Sequence, residues 1–582
     1  MTSAAPGRPG CLQDGGLELP AAVRERVALL GREPGGVPAY VYDLDGLGAH
    51  LAAIRAALPA RTELFYAVKA NPDPAVLRVV TRSADGLEVA SGGELAHAAG
   101  AVSGARLAFG GPGKTPAEIA AAVRARVFRI HVESPHELRH LGAAALAAGE
   151  TADILLRVNL PGEAADPGLV GDPRTALVMG GGPTPFGMDP FLLDACASWL
   201  GDGSPEARAL RLRGLHAHLA SGLDAPAALA AAARVLDFAR QWCARHGVRD
   251  PEVNLGGGMA VDYRRPGERF DWPAYGRGLA RAVAPGEVLR VEPGRAVTAY
   301  CGWYVTRVLD VKPSHGTVFA VVAGGTHHLR TPAAKGHDQP FAVLPGPDWP
   351  HGWARPSAPA GPVTVVGQLC TPKDVLARDV LVRGLRAGDL VAFGLAGAYA
   401  WNISHHGFLM HPEPGFHYVG AGVHGLTATG LPPPRERWGQ ARSCLVYCLS
   451  YPMVSVSVSS AAARLAGTGM VGRSTTSVTP GTAVTRPATA AASSTITRPS
   501  PVKKPTCSTT RMTVPVLAGP PAGPATVHRG ANTLPRANQA PLAIARNAPK
   551  STACLLRAAI ISSPPSSAPA PGRISSSSRP VV

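Results

Sequence analysis

Apolar and polar positions along the first 290 residues repeat a unit in which a short apolar run precedes a longer stretch with helical spacing. The segment PAYVYDLDGLGAHLAAIRAAL predicts a short strand leading into an amphipathic helix, which Asp43 or Asp45 is placed to cap. Eight further apolar runs follow, separated by helical stretches such as AEIAAAVRARV: LFYAVKA, LEVA, RLAFG, RIHVES, ILLRVN, RLRGLHAHLA, VNLGGG and VLRVEPG. Eight strands alternating with helices predict an α/β fold, a (β/α)8 TIM-like barrel with its reactive groups at the carboxyl ends of the strands.

The pattern changes near Val291 and again near His417. The runs AVTAYCGWYVTRVLDVK, TVFAVVAGG, VTVVGQLC and GDLVAFG have no long helices between them and predict a β-rich domain. Beyond His417, Ser, Thr, Pro, Ala and Arg dominate without sustained periodicity, which predicts disorder. The predicted parts are an N-terminal segment (1–39), the barrel (40–290), a β-rich C-terminal domain (291–418) and a disordered tail (419–582).

The excess positive charge lies in the tail. The chain carries 57 Lys and Arg against 40 Asp and Glu, a net charge of +17. Residues 421–582 hold 17 of the basic residues and one acid, Glu436, which leaves 40 basic and 39 acidic residues in 1–420. A nearly neutral body predicts no nucleic-acid or membrane partner. We interpret the tail as the product of a reading-frame shift; the alternative is a functional basic tail that binds anions.

The cysteines and the N-terminus predict a reduced, cytoplasmic protein. The nine cysteines are odd in number and scattered, without a CxxC or a Cys/His ligand spacing. The opening MTSAAPGRPGCLQDGGLELP has no basic start followed by an apolar core, and no apolar run is long enough to span a membrane.

Lys69 ends an apolar strand, in the run FYAVKANP, just before a turn. Such a lysine is either an exposed strand-end residue or an amine aimed into a dry pocket, where desolvation lowers its pKa and lets it form an imine with an aldehyde. The YAVKAN motif resembles the signature of the alanine-racemase-fold (fold type III) decarboxylases that act on ornithine, diaminopimelate, arginine and related substrates. The resemblance runs from about Tyr40 to His417 through many motifs in the right order. It implies pyridoxal 5'-phosphate as the cofactor, bound covalently to Lys69.

Two further motifs resemble the family's cofactor site. The run Gly256-Gly257-Gly258 ends an apolar strand, where bare backbone amides can approach a phosphate closely. In the run EPGR, Glu292 precedes Gly294 and Arg295. A carboxylate beside the ring nitrogen of the cofactor keeps that nitrogen protonated, so that the ring accepts the electrons left by departing carbon dioxide. The resemblance implies this role for Glu292 and cofactor binding for Gly294 and Arg295, with Arg295 at the phosphate.

The run GLHAHLAS contains the pair His216 and His218. A His-x-His pair alone suggests a metal, but no third ligand is spaced near it, and we predict no metal. The resemblance implies that His218 lies against the face of the cofactor ring and that Ser221 contacts the phosphate. It also places Glu88, in LEVAS, and Arg157, in LRVN, in the cofactor pocket; structural strand-end charges are the alternative for these last two.

The run GQLCTPKD resembles a family motif whose cysteine reaches the active site of a second subunit. The resemblance implies a homodimer in which Cys370 supports protonation of the product carbon, with Thr371 and Asp374 at the substrate. A buried structural cysteine is the alternative. Tyr399, in the run GAY, resembles a tyrosine that hydrogen-bonds the phosphate and borders the substrate. Both motifs imply active sites shared between two copies of the chain.

Thr371 departs from the common pattern of the family, in which Asp or Glu usually follows the motif cysteine and pairs with the distal polar end of the substrate. A neutral hydroxyl removes that charge-assisted bond. Candidate neighbours are rich in cationic or neutral hydrogen-bonding groups, which suit an anionic distal group: Thr326-His327-His328, Lys373 and Asn402-Ile403-Ser404-His405-His406. The histidines are alternatively a solvated loop or a chance metal site.

The run AYAWNISHHGFLMHP, together with CTP, resembles a subgroup found in siderophore and natural-product pathways. Some members of that subgroup decarboxylate an amino acid already joined to citrate or to a carrier. We therefore predict decarboxylation of an amino-acid substrate to its amine and carbon dioxide, the substrate being a carboxylated siderophore or natural-product intermediate.

Other functions stay open. A diaminopimelate or ornithine-type decarboxylase has the same fold and cofactor. An amino-acid racemase shares the lysine, but Glu292 argues against it because the racemases of this fold place an arginine there. A homologue without its cofactor is disfavoured by the intact Lys69, Arg295 and Cys370, and a nucleic-acid-binding protein rests only on the tail.

Overall fold

The computed structural model describes residues 17–160, 177–346 and 348–421. These residues belong to the first of the two units into which the chain divides, Met1–Ser460. The predicted tail from residue 422 onward lies outside the described residues.

The described residues form twenty strands, numbered in chain order. They are β1 Ala39–Asp43, β2 Thr62–Ala67, β3 Gly86–Val89, β4 Leu107–Phe109, β5 Arg129–Val132, β6 Ala152–Arg157, β7 Leu177–Val178, β8 Leu210–His216, β9 Ala220–Ser221, β10 Glu252–Asn254, β11 Val288–Val291, β12 Gly302–Ser314, β13 Thr317–Val322, β14 Phe341–Leu344, β15 Ser357–Ala358, β16 Gly361–Val366, β17 Val375–Val382, β18 Leu385–Arg386, β19 Leu390–Phe393 and β20 Gly415–Val419.

The same residues form twelve α-helices. They are α1 Ala21–Arg32, α2 Leu44–Ala57, α3 Pro74–Val80, α4 Gly92–Ala101, α5 Pro116–Arg124, α6 Pro135–Ala148, α7 Pro190–Leu200, α8 Pro205–Arg208, α9 Ala225–Arg245, α10 Trp272–Ala282, α11 Arg295–Thr298 and α12 Thr331–Lys335. Short 3-10 helices span Val68–Ala70, Ala299–Cys301, Trp401–Ile403 and Phe408–Met410.

Eight parallel strands close into a barrel in the order β10-β11-β2-β3-β4-β5-β6-β8. They are the eight apolar runs that follow the opening strand in the sequence, so the predicted barrel is confirmed. Local signals start the helices between them. Asp43 caps α2 by accepting from the Gly46 amide at 2.9 Å, and α5 begins at Thr115 with a reciprocal capping box to Glu118.

A second, eight-stranded sheet follows the barrel, which confirms the predicted β-rich part. Its main path is β14-β19-β12-β13-β16-β17, and β1 joins it by pairing antiparallel with β12 and parallel with β20. The opening strand, counted with the barrel in the sequence-based division, therefore lies in the second sheet. Helix α1 packs on the same sheet, where Val23 and Val27 share an apolar cluster with Val41 and Val305.

Two-stranded ribbons complete the structure, β7 with β9 and β15 with β18. Among the described residues, none of the helices has both the length and the apolar character needed to cross a membrane.

Candidate active site

A cavity of about 1570 Å³ opens at the carboxyl ends of the barrel strands. Its wall contains eleven of the residues singled out from the sequence: Lys69, Glu88, Arg157, His218, Ser221, Gly257, Gly258, Glu292, Gly294, Arg295 and Tyr399. Gly256 lies directly behind this wall, buried against His218. The barrel thus brings together residues that are more than 200 positions apart in the chain, at the end where barrel enzymes place their reactive groups, and Tyr399 joins them from beyond β19.

Lys69 lies in the 3-10 turn that follows β2, and its side chain is 45% exposed to the cavity. Its Nζ donates to the carboxylate of Glu88, which is buried on β3. Burial lowers the pKa of Lys69, but the combined attraction of Glu88, Tyr399 and Glu292 outweighs it and raises the pKa above its usual value. The sequence-based expectation of a lowered pKa was therefore wrong, because it did not include the carboxylate next to the amine.

His218 follows β8 and is held by the glycine turn. Its Nδ1 accepts a hydrogen bond from the Gly257 amide at 2.9 Å, so the ring carries its proton on Nε2 when neutral. Burial, with the charges of Arg157 and Lys69, lowers the pKa of His218 to about 3. A neutral imidazole is therefore present in the cavity wall throughout the physiological pH range.

Glu292 lies directly after β11 and is bound from the barrel interior. The Asn254 side chain donates to its Oε1 at 2.6 Å, and the same side chain accepts from the Gly256 amide at 2.9 Å. His216 Nε2 lies 3.4 Å from Oε2, and His131 Nε2 lies 3.8 Å from Oε1. Sequence reasoning missed Asn254 and His131, since only barrel closure brings β5, β10 and β11 together here.

His131, His216 and Glu292 offer ligand atoms within 4.8 Å of one another. Only His216 of the His-x-His pair belongs to this cluster, and its two other members come from distant parts of the chain, which spacing along the sequence does not reveal. The two imidazole rings are stacked, with centroids 4.3 Å apart and planes 15° apart. Parallel rings direct their nitrogen lone pairs in parallel rather than toward one ion, and we assign no metal to the cluster.

The glycine turn allows close backbone approach in the cavity wall. A Cβ on Gly257 would lie 2.3 Å from the carbonyl oxygen of Glu292, and one on Gly258 would lie 2.1 Å from that of Ala220. Side chains at either position would therefore displace the turn.

Arg295 and Tyr399 lie beside this glycine turn. The Arg295 guanidinium packs on the Tyr399 ring at 4.5 Å and donates to the Tyr263 hydroxyl at 2.6 Å. Tyr399 has a φ of 49°, a left-handed conformation that is uncommon for a tyrosine. Its backbone amide donates to Ala70 at 2.8 Å, which fixes it against the turn that carries Lys69. Tyr263 is a further wall residue that the sequence motifs did not indicate.

Arg157, at the end of β6, is fixed by a buried ion pair. Its Nη1 lies 2.7 Å from Oε1 of Glu133, which also accepts from the Gly111 amide at 2.9 Å. The guanidinium lies 5.0 Å from the centre of the Phe186 ring. Arg157 therefore presents a fixed positive charge to the cavity.

Cys370, Thr371 and Asp374 are not in the cavity wall. Cys370 is an exposed free thiol, whereas Asp374 is 2% exposed. The Asp374 carboxylate accepts from the amides of Thr326 at 2.6 Å and Leu369 at 2.8 Å. These contacts make Asp374 the residue that ties the Cys370 loop to the loop before His327, so its predicted contact with substrate is not supported here.

The donors of the cavity fit a phosphorylated pyridine aldehyde. One primary amine, Lys69, and one carboxylate bound by neutral neighbours, Glu292, suit an aldehyde and a protonated ring nitrogen. A turn of glycines flanked by Arg295, Tyr263 and Tyr399 suits a phosphate. The lack of space for a Cβ at Gly257 and Gly258 keeps the phosphate side free of side chains.

Comparisons with known proteins identify the family. Residues 44–299 match the model of the pyridoxal-dependent decarboxylase, pyridoxal binding domain. The 2-[(L-alanin-3-ylcarbamoyl)methyl]-2-hydroxybutanedioate decarboxylase of Staphylococcus aureus is 37% identical over 385 residues, which cover 65% of this chain and 93% of the relative. A diaminopimelate decarboxylase of Actinosynnema pretiosum is 37% identical over 377 residues, covering 62% and 80%.

Solved structures agree with these sequence matches. A diaminopimelate decarboxylase variant from Helicobacter pylori, in complex with L-lysine, has a TM-score of 0.58 and 25% identity over 67% of this chain and 93% of that one. The chain belongs to the pyridoxal-phosphate-dependent decarboxylase family, and it is a carboxy-lyase that acts on an amino-acid substrate.

Proposed function

We propose that the substrate is an amino acid whose distal end carries carboxylates, as in a siderophore or natural-product intermediate. The observation that carries this proposal is Thr371, a neutral residue next to the exposed Cys370. The printed substrate of the Staphylococcus aureus relative supports it, since that name describes an alanine unit joined through an amide to a hydroxybutanedioate.

The surroundings of the Cys370 loop also suit an anion. Asp374 is buried and already accepts two backbone hydrogen bonds, so it offers no free carboxylate to a substrate ammonium. His327 is buried next to His328 and His411, with ring centroids 4.1 and 5.1 Å away, and none of the described residues hydrogen-bonds either of its ring nitrogens. His327 therefore offers ring nitrogens that have no partner among the described residues.

The cofactor, when bound, supplies a ring that accepts the electron pair left by the departing carbon dioxide. Lys69 would hold the cofactor covalently, and Glu88 binds Lys69. Glu292 would pair with the ring nitrogen, and His218 would border the ring. Arg157 adds positive charge to the pocket.

The phosphate of the cofactor would be bound by the glycine turn and its neighbours. Gly256, Gly257 and Gly258 would allow close backbone approach, and at Gly294 a Cβ would lie 3.2 Å from the Tyr399 hydroxyl. Ser221, Arg295 and Tyr399 would donate to the phosphate oxygens. The protein would thus bind the charged phosphate, and the cofactor ring would accept the electrons of the reaction.

The functional unit that we propose is a cytoplasmic homodimer. Cys370 does not line the cavity of its own chain, and an exposed thiol in a fixed loop suits a role in the active site of a second copy. There it supports protonation of the product carbon, with Thr371 beside the substrate. The four cysteines of the described residues are free, which suits a reducing compartment.

Two alternatives rest on specific observations. Diaminopimelate decarboxylation is favoured by the relative from Actinosynnema pretiosum. It requires a partner for the distal ammonium that Thr371 does not provide. An amino-acid racemase is disfavoured by Glu292, whose carboxylate favours a protonated ring nitrogen.

The test is carbon dioxide release by the purified full chain supplied with pyridoxal phosphate. Diaminopimelate, ornithine and arginine are compared with the citrate conjugate of 2,3-diaminopropionate. Release from only the conjugate supports the proposal. Release from a free diamino acid alone overturns the substrate but leaves the decarboxylase unaffected.

The variant Thr371→Glu sharpens this test, with Thr371→Ser as its matched control. A carboxylate facing the carboxylates of the conjugate costs several kcal/mol, so kcat/KM for the conjugate is expected to fall by more than about 100-fold. Thr371→Ser keeps the hydroxyl and is expected to stay near the parent value. Equal losses in both variants would contradict an electrostatic role for this position.

A further inference from the structure

We infer that His131 and His216 form a stacked pair that, with Asn254, positions the carboxylate of Glu292 for the cofactor ring. The inference rests on the proposed pairing of Glu292 with the ring nitrogen. It makes His131, His216 and Asn254 positioning residues, which act on the cofactor through Glu292.

The contacts form a closed set around one carboxylate. Asn254 donates to Oε1 at 2.6 Å and is itself oriented by the Gly256 amide at 2.9 Å. The backbone amide of Glu292 donates to the Gly256 carbonyl at 2.7 Å. The glycine turn and the carboxylate are therefore coupled through Asn254, so that a shift of one moves the other.

His216 contacts the second carboxylate oxygen. Its Nε2 lies 3.4 Å from Oε2, within reach of a hydrogen bond, yet none of the described residues makes one with either ring nitrogen. The side chain is buried, so an unmet donor there has a cost that a small rotation toward Glu292 removes. The stack with His131, at 4.3 Å, limits the ring to motion within its own plane.

His131 connects the stack back to Asn254. Its Nε2 lies 3.4 Å from the Asn254 amide nitrogen and 3.8 Å from Oε1 of Glu292. All four side chains are at most 8% exposed. The two oxygens of Glu292 are thus each approached from within the barrel by neutral groups.

The charge state of the pair follows from its surroundings. Burial lowers the pKa of both histidines, and the positive groups Arg157, Lys69, Lys114 and Arg290 act in the same direction. Only Glu292 acts to raise the pKa of His131. A protonated histidine here would neutralise Glu292 and compete with a protonated ring nitrogen. Neutral imidazoles stabilise the carboxylate without that competition.

The experiment uses the full chain loaded with pyridoxal phosphate labelled with nitrogen-15 in its ring. The chemical shift of the ring nitrogen measures its protonation independently of any substrate. His216→Phe keeps the ring volume and the stack but removes Nε2, and His216→Gln returns a donor at a similar reach. We expect the ring nitrogen of His216→Phe to lose proton occupancy and kcat to fall about 10- to 100-fold, the effect of losing a hydrogen bond to a charged group.

His216→Gln is expected to recover most of the shift, and His131→Phe to show a smaller change in the same direction. His140→Phe, on the exposed face of α6, is the matched control and should leave both readouts unchanged. If His216→Phe does not fold, the ring-nitrogen shifts of His216→Gln and His131→Phe, compared with each other, still test the inference. A parental nitrogen shift in all folded His216 and His131 variants would overturn the inference, whereas absent carbon dioxide release with a normal shift pattern would instead count against the proposed function.

Discussion

At the amino-terminal end of the barrel Arg129, Glu252 and Arg290 bind one another, whereas at the carboxyl-terminal end Lys69, His216 and Glu292 border an open cavity. Arg129 Nε lies 2.7 Å and Arg290 Nη2 3.0 Å from Oε2 of Glu252. Arg290 also donates to Glu63 at 2.9 Å. At the first end, both guanidinium groups therefore form ion pairs with carboxylates of the barrel strands.

The carboxyl-terminal end also has charged and polar side chains, but their hydrogen bonds and ion pairs are incomplete among the described residues. Lys69 has one anionic partner and is half exposed, and His216 has no hydrogen bond from the described residues. Buried polar groups without partners are costly, and a protein retains them where a ligand completes them. The comparison indicates that the amino-terminal charges serve stability and the carboxyl-terminal charges serve binding and catalysis.

The largest effect is expected from Lys69→Ala, which tests the functional end. Removing the amine that we propose to bind the cofactor should reduce turnover by more than about 10^4-fold, as for other covalent nucleophiles. The free energy of unfolding should change little, because half of the Lys69 side chain faces the cavity. Carbon dioxide release measures turnover, the absorption of bound cofactor measures its attachment to the chain, and urea denaturation measures the free energy of unfolding. Retained turnover would refute the assignment of Lys69.

The next largest effect is expected from Glu252→Gln, which tests the role in stability of the amino-terminal end of the barrel. Arg129 and Arg290 would lose their shared buried counter-ion, which costs about 3–5 kcal/mol of unfolding free energy. Turnover at low temperature should remain near the parent value. Urea denaturation of the cofactor-free chain measures the loss. Glu150→Gln, which breaks the exposed pair with Arg126, is the control and should leave the free energy of unfolding nearly unchanged.

The same variant predicts a pH dependence. Burial raises the pKa of Glu252, but Arg129 and Arg290 outweigh it and lower the pKa to about 2 from a usual value of 4.5. A lowered pKa in the folded state contributes stability above the unfolded value, and that contribution is lost as the pH falls from about 4.5 toward 2. The free energy of unfolding of the parent chain should fall by this contribution on acidification. In Glu252→Gln, which lacks the carboxylate, urea denaturation at the same pH values should show no such fall from this site.

Much of the fold was predictable because its signals are local. Each barrel strand is a short apolar run, and helices such as α2 begin at cap residues that the sequence displays. The strand β1 was predicted as a strand, but its place in the second sheet was not predictable, since its pairing partners β12 and β20 lie more than 250 residues away. Strands β14, β17 and β20 were missed, because apolar alternation in them is short or interrupted by charges.

The site was predictable where a motif carries it. YAVKAN, GGG and EPGR, through their resemblance to family motifs, each indicated a residue that lies in the cavity wall. His131, Asn254 and Tyr263 belong to no such motif, and their positions depend on barrel closure. The partner of Lys69 decides its pKa, and the sequence around Lys69 does not contain Glu88. Roles of Cys370 and Thr371 depend on a second copy and stay predictions.

The smallest effect is expected from Glu88→Gln, which tests whether the charge or the shape of Glu88 matters at the carboxyl-terminal end of the barrel. Glu88→Gln keeps an acceptor for Lys69 but removes the negative charge that raises its pKa. Only the neutral amine can attack the cofactor aldehyde, so covalent loading of the cofactor-free chain should accelerate as the pH rises toward the pKa of Lys69. In Glu88→Gln the midpoint of this pH dependence should move to lower pH, because burial then lowers the pKa with less opposition. The absorption of bound cofactor, followed over time at a series of pH values, measures the midpoint. Glu150→Gln should keep the parental midpoint. An unchanged midpoint in Glu88→Gln would show that Glu88 orients Lys69 without setting its charge. The charged groups at the two ends of the barrel would then differ only in their exposure to solvent.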